Sequence, residues 1–205
     1  MRAVITEADI PNSGELAIAA GSIVTPSARD LARERRVTLR ELAAGQQLPQ
    51  ATPERTIAIG SDHGGFQLKC ALLPVLAELG LAIQDLGVHE EKTADYPDIA
   101  LAVAQCVVGG KATRGVVIDG AGIGSCMAAN KVTGIRAALC YDVASARNSR
   151  EHNNANVLTL GGRLLTQTQA EDVVRTWIET PFGGGRHAGR IDKITAIEKR
   201  FGKTS

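Results

Sequence analysis

From residue 56 to about 200, short apolar runs alternate with segments whose apolar residues return at helical spacing. TIAIGS (56–61), LAIQDLG (81–87), GVVID (115–119), IRAALC (135–140) and NVLTLGG (156–162) read as five strands, each brief, aliphatic and closed by turn formers. Helical patterns separate them. One covers 65–79, where Phe66, Leu68, Leu72, Leu73, Leu76 and Leu79 recur around an internal Pro74. Others cover 99–108, SCMAANK onward, 143–151, and stretches near 167–179 and 189–200. Strands joined by helical crossovers imply a parallel sheet covered on both faces, the α/β class. In such sheets ligands bind beyond the carboxyl ends of the strands. That rule puts Ser61-Asp62-His63, Asp119-Gly120 and Gly161-Gly162-Arg163 on one rim.

Residues 1–42 break the alternation. Thr25-Pro26 reads as a capped helix start, followed by the arginine-rich SARDLARERR. This predicts a small N-terminal helical extension. Residues 43–55 (AAGQQLPQATPER) have two prolines and no periodicity, as in a linker, and 56–205 form the main domain.

Composition removes several classes of function. A net charge of +1 gives no global pull toward nucleic acid or an acidic membrane, and aromatics at 3% leave little for base stacking. No apolar run reaches the roughly 20 residues that span a bilayer, and the N-terminus lacks the basic-then-apolar order of a secretory signal. The four cysteines (Cys70, Cys106, Cys126, Cys140) are far apart, without metal-ligand spacing, and read as reduced, cytosolic and mostly core.

The segment carrying the most chemistry is RGVVIDGAGIGSCMAANK, 114–131. A strand ends at Asp119, glycines follow at 120, 122 and 124, and a helix opens at Ser125. Glycine lets the backbone approach a bound molecule, and unpaired amides at a helix start favour negative charge. A carboxylate facing such donors can take a proton from carbon while the amides hold the oxyanion. The bland alternative is a tight turn that lets helix pack on strand. A dinucleotide site is disfavoured, because the cluster follows the third strand and lacks the full G-x-G-x-x-G spacing.

Three further motifs offer polar groups. In GSDHGGF, Asp62 is either a helix cap or a site residue, and His63 is placed to donate to a phosphate. SREHNNANVL sets His152 and Asn153 before the fifth strand, where loop hydrogen bonding is the competing reading. GGGRHAGR carries Arg186, His187 and Arg190. The two arginines, four apart, are expected on one helix face, suited to phosphate oxygens or merely solvated. His89 reads as surface.

Taken in order, GSDHGGF, Asp95-Tyr96-Pro97, DGAGIG with AANK, SREHNNANVL and GGRHAGR resemble the type B ribose-5-phosphate isomerases and the related galactose-6-phosphate isomerase subunits, over about residues 56–200. The resemblance implies a Rossmann-like three-layer domain with a five-stranded parallel sheet. It implies a homodimer with shared active sites, with a tetramer left open, and a cofactor-free, metal-free aldose–ketose interconversion through a cis-enediol. His63 and Arg163 would contact the phosphate of a small sugar, and Arg186 and Arg190 would reach the phosphate in the neighbouring subunit's site. His152 would assist ring opening. Amides from Gly120 through Gly122 and Gly124 to Ser125, with Asn153, would hold the enediolate oxygen. Tyr96 and Asp62 would line the sugar, with His187 close by. Ribose 5-phosphate is the expected substrate; a six-carbon phosphosugar, or phosphosugar binding without catalysis, are the alternatives.

One position departs from the family. Many members have cysteine where this chain has Asp119, and others have glutamate at the position of Ser125. Asp119 is therefore the expected base, with burial expected to raise its pKa toward useful basicity. The N-terminal GSIVTPSARDLARERRVTLREL resembles helical segments that precede some bacterial microcompartment enzymes, and the peripheral subunit-binding module of acyltransferases. It implies a docking element, with Ile23, Val24, Leu31, Val37, Leu39 and Leu42 as an apolar patch, and a cytoplasmic or microcompartment setting. The alternative is an extension packed on its own dimer.

Overall fold

The computed structural model describes residues 4–10, 14–18, 21–41 and 56–202. The chain divides into two compact units, Met1–Thr52 and Pro53–Ser205. The expected linker at 43–55 lies outside the described residues.

The first unit holds the expected helix α1 (Pro26–Glu34), capped by the Thr25 hydroxyl, which accepts from the Ala28 amide at 3.2 Å. It is not helical alone. β1 (Val4–Ile5) pairs in parallel with β3 (Ile23–Val24), and β2 (Gly14–Ile18) with β4 (Val37–Glu41). The expected apolar patch is mostly this unit's own core. Val37 is buried with Ile10, Ala28 and Ala32, and Val24, Leu31 and Leu39 pack against them. VTLRE alternates as a strand, which turns Val37 and Leu39 toward α1. Ile23 stays exposed, and Leu42 lies outside the described residues.

The second unit follows the alternation closely. Its strands are β5 (Thr56–Ser61), β6 (Ala82–Asp85), β7 (Arg114–Asp119), β8 (Ala137–Leu139) and β9 (Val157–Gly161). They form one parallel sheet in the order β6-β5-β7-β9-β8. Its helices are α2 (Phe66–Glu78), α3 (Tyr96–Val108), α4 (Ile123–Ala129), α5 (Val143–Glu151), α6 (Gln167–Glu179) and α7 (Ala188–Phe201). Successive strand residues face opposite ways, so the sheet has two cores. Ile57, Ile59, Val116, Ile118, Leu158 and Leu160 meet Leu72, Ala146, Val173 and Trp177 on α2, α5 and α6. Ala58, Val117 and Val157 meet Ala100, Val103, Ala104 and Ala129 on α3 and α4. This is the expected Rossmann-like three-layer arrangement.

Lys69 on α2 is fully buried beneath the loop after β6. Its Nζ donates to both Asp85 oxygens (2.8 and 2.7 Å) and to the carbonyls of Gly87 and Val88 (2.8 and 2.7 Å). No helix among the described residues is long and apolar enough to cross a membrane.

Candidate active site

Because the strands are parallel, the turns after β5, β7 and β9 share one rim. Main-chain bonds lock them together. The Asp62 amide donates to the Ile118 carbonyl (3.2 Å), Gly162 to Asp119 (2.7 Å) and Arg163 to Gly120 (3.0 Å). Gly122 adopts φ +78°, a left-handed conformation open to glycine, and this folds the loop back over the end of β7. The Arg163 side chain lies beside Gly120, the Tyr96 ring covers Gly124, and His63 is exposed at the lip. Asp62 is buried and closes the turn before α2, its Oδ1 accepting from the Gly65 amide at 3.0 Å; the N-cap of α2 is Gly65 itself, so Asp62 is not the helix cap.

Asp119 turns into the glycine loop rather than outward. Its Oδ1 accepts from the amides of Ala121 (2.8 Å) and Gly122, and its Oδ2 from that of Ser125 (2.9 Å). Only 5% of the residue is exposed. Burial pushes its pKa upward, but the nearby Ser125 hydroxyl and the three amides outweigh burial and hold the carboxyl below the ordinary Asp value. The expected rise does not occur, because backbone donors stabilise the charged form that burial alone would penalise. The Ser125 hydroxyl is itself fully buried and outside hydrogen-bonding geometry with any partner.

His152, Asn153, Arg186, His187 and Arg190 belong elsewhere in the protomer. His152 caps the C-terminus of α5, ahead of β9, so it stands at the amino-end rim. At about 3.3 Å per residue, the five residues of β9 separate the two rims by roughly 16 Å. The His152 and His187 rings stack, with centroids 4.3 Å apart and planes 8° apart. Arg186 is not on the same helix as Arg190, contrary to the spacing argument. Gly184 and Gly185 adopt positive φ, and Gly185–His187 form a 3-10 turn before α7 begins at Ala188. Buried Arg150 shapes this rim by donating to the Ala155 carbonyl (2.5 Å) and Asn154 Oδ1 (2.9 Å).

Two further residues steady these rims. The Tyr141 hydroxyl donates to the Ala121 carbonyl at 2.7 Å, steadying the glycine loop from beyond β8. The rim rule, applied to the strand ending near 140, identifies it. Asn148 lies 2.9 Å from His152 Nδ1, and its signal was the i,i+4 spacing on α5.

Residues 57–194 match the Ribose/Galactose Isomerase family. The chain belongs to that family. It is 42% identical to ribose-5-phosphate isomerase B of Escherichia coli over 146 residues, 71% of this chain and 98% of the relative. It is 39% identical to the D-erythrulose-4-phosphate isomerase of Pectobacterium atrosepticum over 144 residues, 70% of this chain and 95% of the relative. The solved structure of ribose-5-phosphate isomerase B from Mycoplasma genitalium with bound ribulose-5-phosphate aligns at 41% identity and TM-score 0.68, covering 70% of this chain and 96% of that one. Membership makes the chain a sugar-phosphate aldose–ketose isomerase acting on a small phosphorylated sugar. The first 56 residues lie outside the matched span.

Proposed function

We propose that this isomerase interconverts ribose 5-phosphate and ribulose 5-phosphate through a cis-enediol(ate), at sites that each draw on two protomers of a cytoplasmic homodimer. The observation that carries the proposal is the division of the polar groups between the two rims. His63, Arg163, Tyr96 and the glycine loop stand at the carboxyl ends, whereas His152, Asn153, Arg186, His187 and Arg190 stand at the amino ends. A phosphosugar that needs both sets meets them only where two copies join. A surface for that joining exists: α7 buries no residue and exposes Ile194, Ile197 and Phe201 by 47%, 60% and 72%.

In this reading His63 and Arg163 hold the phosphate from one side, and the partner's Arg186 and Arg190 from the other. The partner's His152 hydrogen-bonds the sugar oxygen freed on ring opening. A base takes the proton from C2, the C–H electron pair forms the C1=C2 bond and the carbonyl pair moves onto O1. O1 then gains the proton that O2 gives up, and the first proton returns at C1 as C2 becomes the ketone. The amides of Gly120, Ile123 and Gly124, which Asp119 leaves unoccupied, together with the partner's Asn153, meet the enediolate oxygen. Asp119 is the proposed base, through Oδ2, which accepts one amide where Oδ1 accepts two. Its lowered pKa keeps it ionised but weakens its pull on a carbon-bound proton, so the chemical step is expected to be slow.

A second reading, phosphosugar binding without turnover, is favoured by the same three amide bonds, which make Asp119 look like a clamp on its loop. Incubation of ribose 5-phosphate in heavy water, followed by NMR, separates the two. The proposal expects ribulose 5-phosphate and solvent deuterium on carbon. Exchange with a four- or six-carbon phosphosugar alone would refute the substrate, and exchange with none would favour binding. We further propose that residues 1–42 are a docking element. Deleting residues 1–50 is expected to leave turnover unchanged and to abolish co-purification of a partner.

A further inference from the structure

We propose that Asn148 and His187 are positioning residues that fix the neutral form of the His152 imidazole with its proton on Nε2, so that it serves the sugar as a hydrogen-bond donor rather than as a base. The catalytic use rests on the isomerase reading above; the tautomer does not.

Asn148 Nδ2 lies 2.9 Å from His152 Nδ1. An amide nitrogen only donates, so Nδ1 must accept and the ring proton of the neutral form sits on Nε2. The orientation of the Asn148 amide is set from its other end. Asn153 Nδ2 lies 3.4 Å from Asn148 Oδ1 and 3.5 Å from the Asn148 carbonyl oxygen. The relay therefore runs Asn153 to Asn148 to His152, each group donating to the next. The helix fixes the spacing, since the His152 amide donates to the Asn148 carbonyl at 3.0 Å across the last turn of α5.

His187 supplies the wall. Its ring lies against the face of His152 at 4.3 Å and nearly parallel. Its Nε2 accepts from Arg186 Nε at 3.5 Å, and its buried Nδ1 has no partner. Burial, then His152, Arg186 and Arg190, disfavour a charge on His187. A neutral neighbour stacks without repelling, and it blocks rotation of the His152 ring. Glu151 also faces the pair, its Oε1 3.8 Å from His152 Nε2, compatible with a proton there. A neutral imidazole so held can donate to a sugar oxygen as negative charge grows on it, without first taking a proton from solvent.

Long-range 1H–15N NMR of the uniformly labelled protein reads the tautomers directly. The chain has four histidines, and His152→Gln assigns the signal. The expected spectrum at pH 7.5 shows His152 protonated at Nε2 and bare at Nδ1. Asn148→Leu should give mixed tautomers. Asn148→Asp, an acceptor, should move the proton to Nδ1 or charge the ring, with kcat down about 10- to 100-fold, within the ~10²–10⁴ that acid–base groups contribute, and KM nearly unchanged. Wild-type His152 protonated at Nδ1, or a pattern indifferent to Asn148→Leu, would overturn the proposal. A switched tautomer with unchanged kcat would overturn the catalytic use. The wild-type spectrum needs neither turnover nor a variant, so a protein that proves inactive on phosphosugars leaves this test intact.

Discussion

The Tyr96 ring covers Gly124 so closely that a Cβ at position 124 would stand 2.5 Å from its Cε2 and Cζ. Tyr96 starts α3, and Gly124 sits in the first turn of α4 above the glycine loop. Gly124→Ala should push the ring aside. The ring is the exposed end of a side chain that can move, and alanine favours helix, so stability should change by less than about 1 kcal/mol. The KM for the sugar phosphate should rise several-fold. An unchanged KM would remove Tyr96 from the sugar's surroundings.

The depressed pKa of His187 makes stability depend on pH. Its folded value lies below the ordinary 6.5, so the unfolded chain takes up the proton first as pH falls. The folded state should be most stable above about pH 6.5 and lose stability as pH falls from there toward the folded pKa. Thermal unfolding midpoints between pH 7.5 and 5 should show the loss, and His187→Phe should flatten it.

The sheet and its helices were legible because parallel strands buried on both faces leave continuous apolar runs, and because turn formers close each one. TIAIGS coincides with β5 to the residue. α3 begins three residues before the expected 99, because Pro97 stands in its first turn, where proline opens a helix. Of the N-terminal strands, two-residue β1 and β3 carry no period, whereas the alternation of VTLRE in β4 is a strand signal that the neighbouring arginine-rich helix overshadows. The polar groups were legible as types but not as orientations. Asp119 illustrates this: its place at the end of β7 follows from sequence, whereas its turn toward three amides depends on the path of the loop it precedes.

Asp119→Asn separates the two roles that this carboxylate can play. Replacing an anion that holds three amides should cost about 2 kcal/mol of stability. The loss should vanish in strong acid, because a lowered pKa contributes stability present above the ordinary 3.8 and lost as pH falls through the folded value. If Asp119 is also the base, kcat falls by at least ~10²-fold while a phosphosugar still binds, and the acidic limb of the wild-type rate profile lies below the ordinary Asp range. Full turnover in a stable Asp119→Asn protein would leave only the clamp.

Lys69→Met tests the buried anchor under the loop after β6. The variant strips Asp85 and two carbonyls of their shared cation while keeping the volume of the side chain. Loss of one partner of such a pair costs about 3 kcal/mol or more, reduced here because Asp85 is partly solvated. Urea unfolding should show a lower midpoint with an unchanged slope.

Mixing two inactive variants tests the shared site most directly. His63→Ala damages the carboxyl-end rim, and His152→Gln the amino-end rim. Unfolded together and refolded, half of the dimers carry one of each chain, and each such dimer holds one intact site and one doubly damaged site. Recovery of about a quarter of wild-type isomerase activity is expected from two proteins that have almost none alone. A mixture that forms the mixed dimer and stays inactive would contradict it.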